Sequence, residues 1–249
     1  MTSIEEVMVW HGTQIVTLDE ASDADACQRA FDTFLAGHKV VAVDTEGFRE
    51  PCLVSLIQVA SSSGVVVQTV DTTLPPLLKS LLEDTSVIKV FFSAADDLKR
   101  LRAGFGCMVE SVVDLQALTV SEFDVRAHSL VDALNRLRVG GPHGLLTKDS
   151  FGKRGFHRYP PQELARVPGF VTYAASDAWA TLCGFESWLA LTSQQMRSQR
   201  NDWNARRSIY SAVTRIRDDR TRMRYEPLFA TTKFTRSDIV RLCDPPAAL

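Results

Sequence analysis

The chain alternates between runs that read as buried strand and runs with helical spacing. In SDADACQRAFDTFLAG, Cys27, Ala30, Phe31, Phe34 and Leu35 recur at i, i+3, i+4, i+7 and i+8. That is the stripe of an amphipathic helix, with Ser22 as its N-cap and Gly37 beyond its end. A short β-like run at residues 15–18 precedes it, and KVVAVDTEG follows, where Val40, Val41 and Val43 favour a buried strand. LVSLIQVA from Leu53 and GVVVQTVD from Gly64 are separated by Ser61, Ser62 and Ser63, as in consecutive antiparallel strands, so the first three strands are expected to form a meander.

Beyond the turn at Pro75 and Pro76, LLKSLLED reads as a helix, VIKVFF as a strand and ADDLKRLRAG as a helix terminated by Gly104. SVVDLQAL reads as a short strand and HSLVDALNRLR as a helix. Strands followed by strand and helix alternation predict an α/β or α+β domain on one mixed sheet. Residues 140–161 are rich in turn formers and predict a long loop, with a helix starting near Pro161 and another over 171–191. From Gln194 to about Arg224, Met196, Trp203, Tyr210, Val213 and Ile216 are spaced for a long helix coated in arginine. This divides the chain into a domain over residues 1–192 and a helical extension over 193–249, whose end packs partly on the body and closes in a disordered tail.

Composition adds exclusions. With 249 residues, 45% hydrophobic and 23% charged, the chain has ordinary globular proportions, which rules out a disordered or collagen-like architecture. Every apolar run falls short of the roughly eighteen residues of a membrane span, so no membrane partner is expected. The opening MTSIEEVMVW has two Glu and no Lys or Arg, unlike a secretory or transit leader, so the expected location is intracellular, cytoplasmic or nuclear, with an organelle left open. Five cysteines without a C-x-x-C pair read as reduced structural thiols. The net charge of −2 hides a lopsided distribution: residues 197–224 hold nine Arg against three Asp, while the remainder carries 19 basic and 27 acidic residues.

Three acidic constellations stand out. Asp44 and Glu46 lie two apart at the end of an apolar strand, so they point to the same side and repel each other unless a cation lies between them. A hard-cation site and a solvated turn are both open readings of this pair. In FFSAADDLKRL, with Leu98, Leu101 and Phe105 as the buried stripe, Asp97 falls roughly 70° from the centre of that stripe and Asp96 roughly 170°. Asp97 is thus the inward carboxylate, and Asp96 a first-turn acid favoured by the helix dipole, a role also open to Asp97. Tyr173 and Asp177, four apart, share one helix face with small residues between them.

Together VVAVDTEG, KVFFSAADDLKRL and YAASDAWATL resemble, in order and separation, the three motifs of DEDD-superfamily 3'-5' exonucleases of the RNase D type, in the subgroup whose third motif is Tyr-x-x-x-Asp. The short loop between DTEG and LVSLIQVA is similar to the branch that includes Egalitarian-like domains. The resemblance covers about residues 15–191 and implies an RNase H-like fold, a mixed central sheet flanked by helices, with the arginine-rich helical extension appended. It also implies that Asp44, Glu46, Asp97 and Asp177 ligate two Mg2+ or Mn2+ ions, with Tyr173 as fifth catalytic residue. The implied reaction releases nucleoside 5'-monophosphates from the 3' end of single-stranded RNA, with DNA as a further possible substrate. At Phe92, Ser93, Ala94 and Ala95 the second motif lacks the polar residues of many relatives, and a catalytically inactive RNA-binding or scaffold protein is the alternative.

A strand entering such a cleft needs positive charge against its backbone and aromatic surfaces for its bases. Lys148, Lys153, Arg154, His157 and Arg158, interleaved with Phe151, Phe156 and Tyr159, form one candidate rim. Arg206 and Arg207 of the arginine-rich helix form another, and that helix could equally dock a protein partner or a second copy of the chain.

Overall fold

The structure is a computed structural model and describes residues 6–10, 12–19, 22, 24–47, 54–123, 129–139, 163 and 169–198. Its strands are β1 (Glu6–Trp10), β2 (Thr13–Leu18), β3 (Val40–Glu46), β4 (Leu56–Ser61), β5 (Gly64–Thr69), β6 (Ile88–Phe91) and β7 (Val112–Asp114). Its helices are α1 (Ala24–Phe34), α2 (Pro76–Glu83), α3 (Ala95–Phe105), α4 (Leu115–Phe123), α5 (Leu130–Arg136) and α6 (Phe170–Ser198). Two compact units emerge, the first from Met1–Val113 with Gly140–Leu182, the second from Asp114–Val139 with Cys183–Leu249.

In the first unit, one mixed sheet runs in the order β1-β2-β5-β4-β3-β6-β7. The expected meander is β3-β4-β5, antiparallel throughout, with Asp44 opposite Gln58 and Gln58 opposite Val67. β2 joins parallel to β5, and β6 parallel to β3. β1, which pairs antiparallel with β2, went unread in the sequence because its apolar run is only four residues long and follows two glutamates.

Strand alternation sorts the residues onto two faces. Val41, Val43, Ile57, Val59, Val66 and Phe91 point into one core with Ala30 and Phe34 of α1, Leu78, Leu81 and Leu82 of α2, and Leu101 of α3. Burying these side chains contributes roughly 1.5–3 kcal/mol for each of the larger ones. The opposite face presents Ala42, Asp44 and Glu46 of β3 beside Leu56, Gln58 and Ala60 of β4.

Two boundaries differ from the sequence reading. Helix α3 passes through Gly104 and ends at Gly106, which takes a left-handed φ of 59° while its N–H reaches the carbonyls of Arg102 and Leu101. SVVDLQAL splits into β7 and the start of α4, because Asp114 ends the strand and its Oδ1 accepts from the N–H groups of Gln116 (2.8 Å) and Ala117 (3.3 Å). Apolar and polar residues are mixed around α4 without a helical period, which left no amphipathic stripe to read.

In the second unit α5 opens on a capping box between Ser129 and Asp132. A Cβ on Gly184 of α6 would lie 2.8 Å from Leu115 and 3.0 Å from Leu134, so a bare backbone lets these elements approach. Phe185 stacks on Trp188 at 5.9 Å. Helix α6, expected over 171–191, continues to Ser198, and the extension beyond lies outside the described residues. Among the described residues no helix is long and apolar enough to cross a membrane, and Cys27, Cys107 and Cys183 form no disulfide.

Lys89 is an unusual member of the first core. On β6 and fully buried, its ammonium donates to the carbonyls of Asp84 and Val87, the latter at 2.8 Å. Burial lowers its pKa from the ordinary 10.5 to about 8, against the opposing pull of Asp84 and Glu110. Above about pH 8 the folded chain therefore releases a proton that the unfolded chain keeps, and stability rises with pH. Buried Cys107 and half-buried Cys183, pushed up from 9.0 to about 11 chiefly by desolvation, act in the opposite sense above pH 9. Urea titrations between pH 7 and 9 should show the wild-type midpoint gaining on that of Lys89→Met; parallel pH profiles would contradict a depressed lysine.

Candidate metal centre

The site forms where β3 runs out. Its apolar residues hold the strand in the sheet, and period-two alternation then sends Asp44 and Glu46 to one face and Thr45 to the other. Gly47 allows the chain to leave at once. Its φ is 87°, and a Cβ there would lie 2.5 Å from the Cβ of Ser55, whose N–H bonds to the Glu46 carbonyl at 2.8 Å. Neither the turn nor this contact admits another residue without displacement.

Helix α6 supplies the next carboxylate. Tyr173 and Asp177 share one face, and the small residues around them, Ala174, Ala175, Ser176 and Ala178, are fully buried. Ligand oxygens of Asp44, Glu46 and Asp177 all lie within 4.8 Å of one another. The Asp44 carboxyl is held well above the usual carboxylate range, first by burial and then by the negative charges of Glu46, Asp177 and Asp97, against a backbone hydrogen bond from Thr45. Burial and the charges of Asp177, Glu46 and Asp44 also push the Tyr173 phenol strongly upward, helped by its hydrogen bond to Asp177. Tyr173 therefore keeps its proton.

Asp97 arrives from the other side of the sheet. β6 lies parallel to β3, so both strands deliver their ends to the same edge, and α3 starts there after Ser93, whose φ of 64° makes the turn. As the angular argument predicts, Asp97 is buried. Its Oδ1 accepts from the Thr45 hydroxyl at 2.5 Å and lies 4.0 Å from Arg100 Nη1. It stands outside the group of three oxygens, near enough to act on Asp44.

The structure thus brings together Asp44, Glu46, Tyr173 and Asp177, with Asp97 adjoining. The candidate nucleic-acid contacts Lys148, Lys153, Arg154, His157, Arg158, Arg206 and Arg207 lie outside the described residues. Sequence reasoning missed Thr45 and Arg100, although alternation already turned Thr45 away from its acidic neighbours and the spacing of three already put Arg100 beside Asp97.

Sheet, flanking helices and an acidic strand end together define an RNase H-like fold. A model of the family described as 3'-5' exonuclease matches residues 20–187, and the chain belongs to that family. Among solved structures, RNase D of Trypanosoma brucei in complex with RNA U12 is similar with a TM-score of 0.56 and 23% identity, over 69% of this chain and 62% of that one. This chain therefore spans less than two thirds of that relative's length. NrnC of Brucella melitensis with bound Mg2+ is similar with a TM-score of 0.55 and 16% identity, over 87% of this chain and 92% of that one. No curated protein matches the chain in sequence.

The Thr45 contact is open to test through stability. A hydrogen bond to a buried carboxylate is worth about 2 kcal/mol. Thr45→Val should lower the unfolding free energy measured by urea titration by that order and Thr45→Ser should retain most of it; a smaller loss in Thr45→Val than in Thr45→Ser would show that the methyl group, and not the hydroxyl, matters.

Proposed function

We propose that this protein is a metal-dependent 3'-5' exonuclease that removes nucleoside 5'-monophosphates from single-stranded nucleic acid, RNA in preference to DNA. The observation that carries the reading is the convergence of Asp44, Glu46 and Asp177 within 4.8 Å, in a chain of the 3'-5' exonuclease family. Carboxylates packed so closely repel one another, and the raised Asp44 carboxyl registers that repulsion. An all-oxygen donor set of this charge fits hard divalent cations, Mg2+ or Mn2+. Asp44, Glu46 and Asp177 would hold one ion, and Asp44 with Asp97 a second. When bound, the two ions supply positive charge against the charge developing on the phosphate and on the attacking and departing oxygens.

In the hydrolysis, a water oxygen bonds to phosphorus as the bond from phosphorus to the 3'-oxygen of the preceding nucleotide breaks. The departing oxygen takes up a proton, leaving a 3'-hydroxyl on the shortened strand and a 5'-phosphate on the released nucleotide. Tyr173, hydrogen-bonded to Asp177, is placed to orient the attacking water or to help deprotonate it. Thr45 fixes one oxygen of Asp97, which limits how that carboxylate can turn. The preference for RNA draws support from the similar RNase D structure, which holds RNA U12, and from a structure of NrnC bound to pGG. The gathering of Asp44, Glu46 and Asp177, with Tyr173 bonded to Asp177 and Asp97 adjoining, supports turnover over a silent scaffold.

A 5'-labelled single-stranded RNA incubated with the protein and Mn2+ should yield a ladder shortened from the 3' end, and Asp44→Asn should abolish it. Binding without shortening by the wild type would replace the enzyme with a scaffold. Tyr173→Phe should lower kcat by about a hundredfold or more while leaving Mn2+ affinity within a few-fold of wild type; a kcat unchanged in this variant would remove Tyr173 from the catalytic machinery.

A further inference from the structure

Gln58 sits in the middle of the sheet with no exposure to solvent, and among the described residues neither its Oε1 nor its Nε2 has a hydrogen-bond partner. Leaving a buried amide unsatisfied costs about 1–3 kcal/mol for each group, so its position calls for a use. The sheet register shows where the amide can find one. Gln58 lies directly opposite Asp44 on β3 and opposite Val67 on β5, and Leu56 and Ala60 flank it on its own strand. On the diagonals stand Ala42 and Glu46 to one side, Val65 and Thr69 to the other. The Thr69 hydroxyl already donates to the Leu18 carbonyl, and the site carboxylates are the charged acceptors within this register toward which the amide N–H can act. Directly opposed residues have Cβ atoms about 4.5–5.5 Å apart, which puts a glutamine amide and an aspartate carboxylate within reach of one bridging water.

We propose that Gln58 is a positioning residue for the metal centre, its amide N–H holding the Asp44 carboxylate through an ordered water in the orientation that receives a divalent cation. The inference rests on the cation-binding reading of Asp44, Glu46 and Asp177. A buried hydrogen-bond donor behind a ligating carboxylate restricts the ligand's rotation, and loss of such a partner lowers metal affinity or activity by about 10–100-fold. The amide is thus kept for the site at the expense of the core. An apolar side chain of equal length would suit the surrounding Leu56, Ala60 and Val67 better.

The test uses the full-length protein and Mn2+ alone as probe, with affinity measured by calorimetry and melting temperature measured without metal. Gln58→Met, matched in length, and Gln58→Leu should each weaken Mn2+ binding by about tenfold or more, with metal-free melting temperatures equal to or above that of wild type. Mn2+ affinity unchanged in both variants would overturn the proposal. So would an affinity that falls only together with the metal-free melting temperature, because Gln58 would then act through packing. Asp177→Asn serves as the control for the underlying reading: if it too binds Mn2+ as wild type does, the cation site itself is wrong, an outcome distinct from failure of Gln58 alone.

Discussion

Negative charge crowded onto one strand end is the constraint that organises this molecule. Asp44 is buried and feels Glu46, Asp177 and Asp97 at once, and its carboxyl rises through the burial first and those charges second. Nothing in that arrangement stabilises the fold by itself, so the scaffold must impose it. It does so with parts that are individually ordinary: a meander that pairs β3 with β4, a parallel β6 on the other side of β3 that delivers α3 to the same edge, and a run of alanines and a serine that buries one side of α6. Thr45 ties the two sides together, since its hydroxyl reaches Asp97 from the strand that carries Asp44 and Glu46.

A site assembled in this way is poised against its own core. The apolar face under α1, α2 and α3 is closed and conventional, apart from Lys89, whose ammonium is satisfied by backbone carbonyls. On the other face the polar groups are satisfied less completely, Gln58 most conspicuously. Functional sites are where local rules of packing and hydrogen bonding are expected to yield, and Gln58 lies directly opposite Asp44 in the sheet.

Much of this could be read from the residues alone. Period two in KVVAVDTEG gave the strand and the shared side of Asp44 and Glu46, and the 100° periodicity of α3 picked Asp97 over Asp96. The capping box of α5 went unread, although Ser129 stands three residues before Asp132. Other features were illegible for physical reasons. Nothing local distinguishes Gly104 from Gly106 as a helix stop, because the choice depends on which residue can adopt a positive φ while closing bonds to Arg102 and Leu101. Helix α4 lacks an amphipathic period, and β1 is defined by pairing with β2 rather than by its own composition. The partnering of Thr45 with Asp97 spans fifty-two positions of chain and depends on tertiary geometry.

The triplet Asp44-Thr45-Glu46 also sets how this strand can change over generations. Its odd and even members serve opposite sides of one sheet, so inserting or deleting a single residue upstream within β3 would exchange them, turning two acids toward the apolar core and the hydroxyl toward the acidic face. Length variation should therefore be purged from the strand itself and accumulate only after Gly47, where the backbone has already left the ladder. Lineages of this chain would be free to remodel the loop that follows while inheriting the spacing before it unaltered.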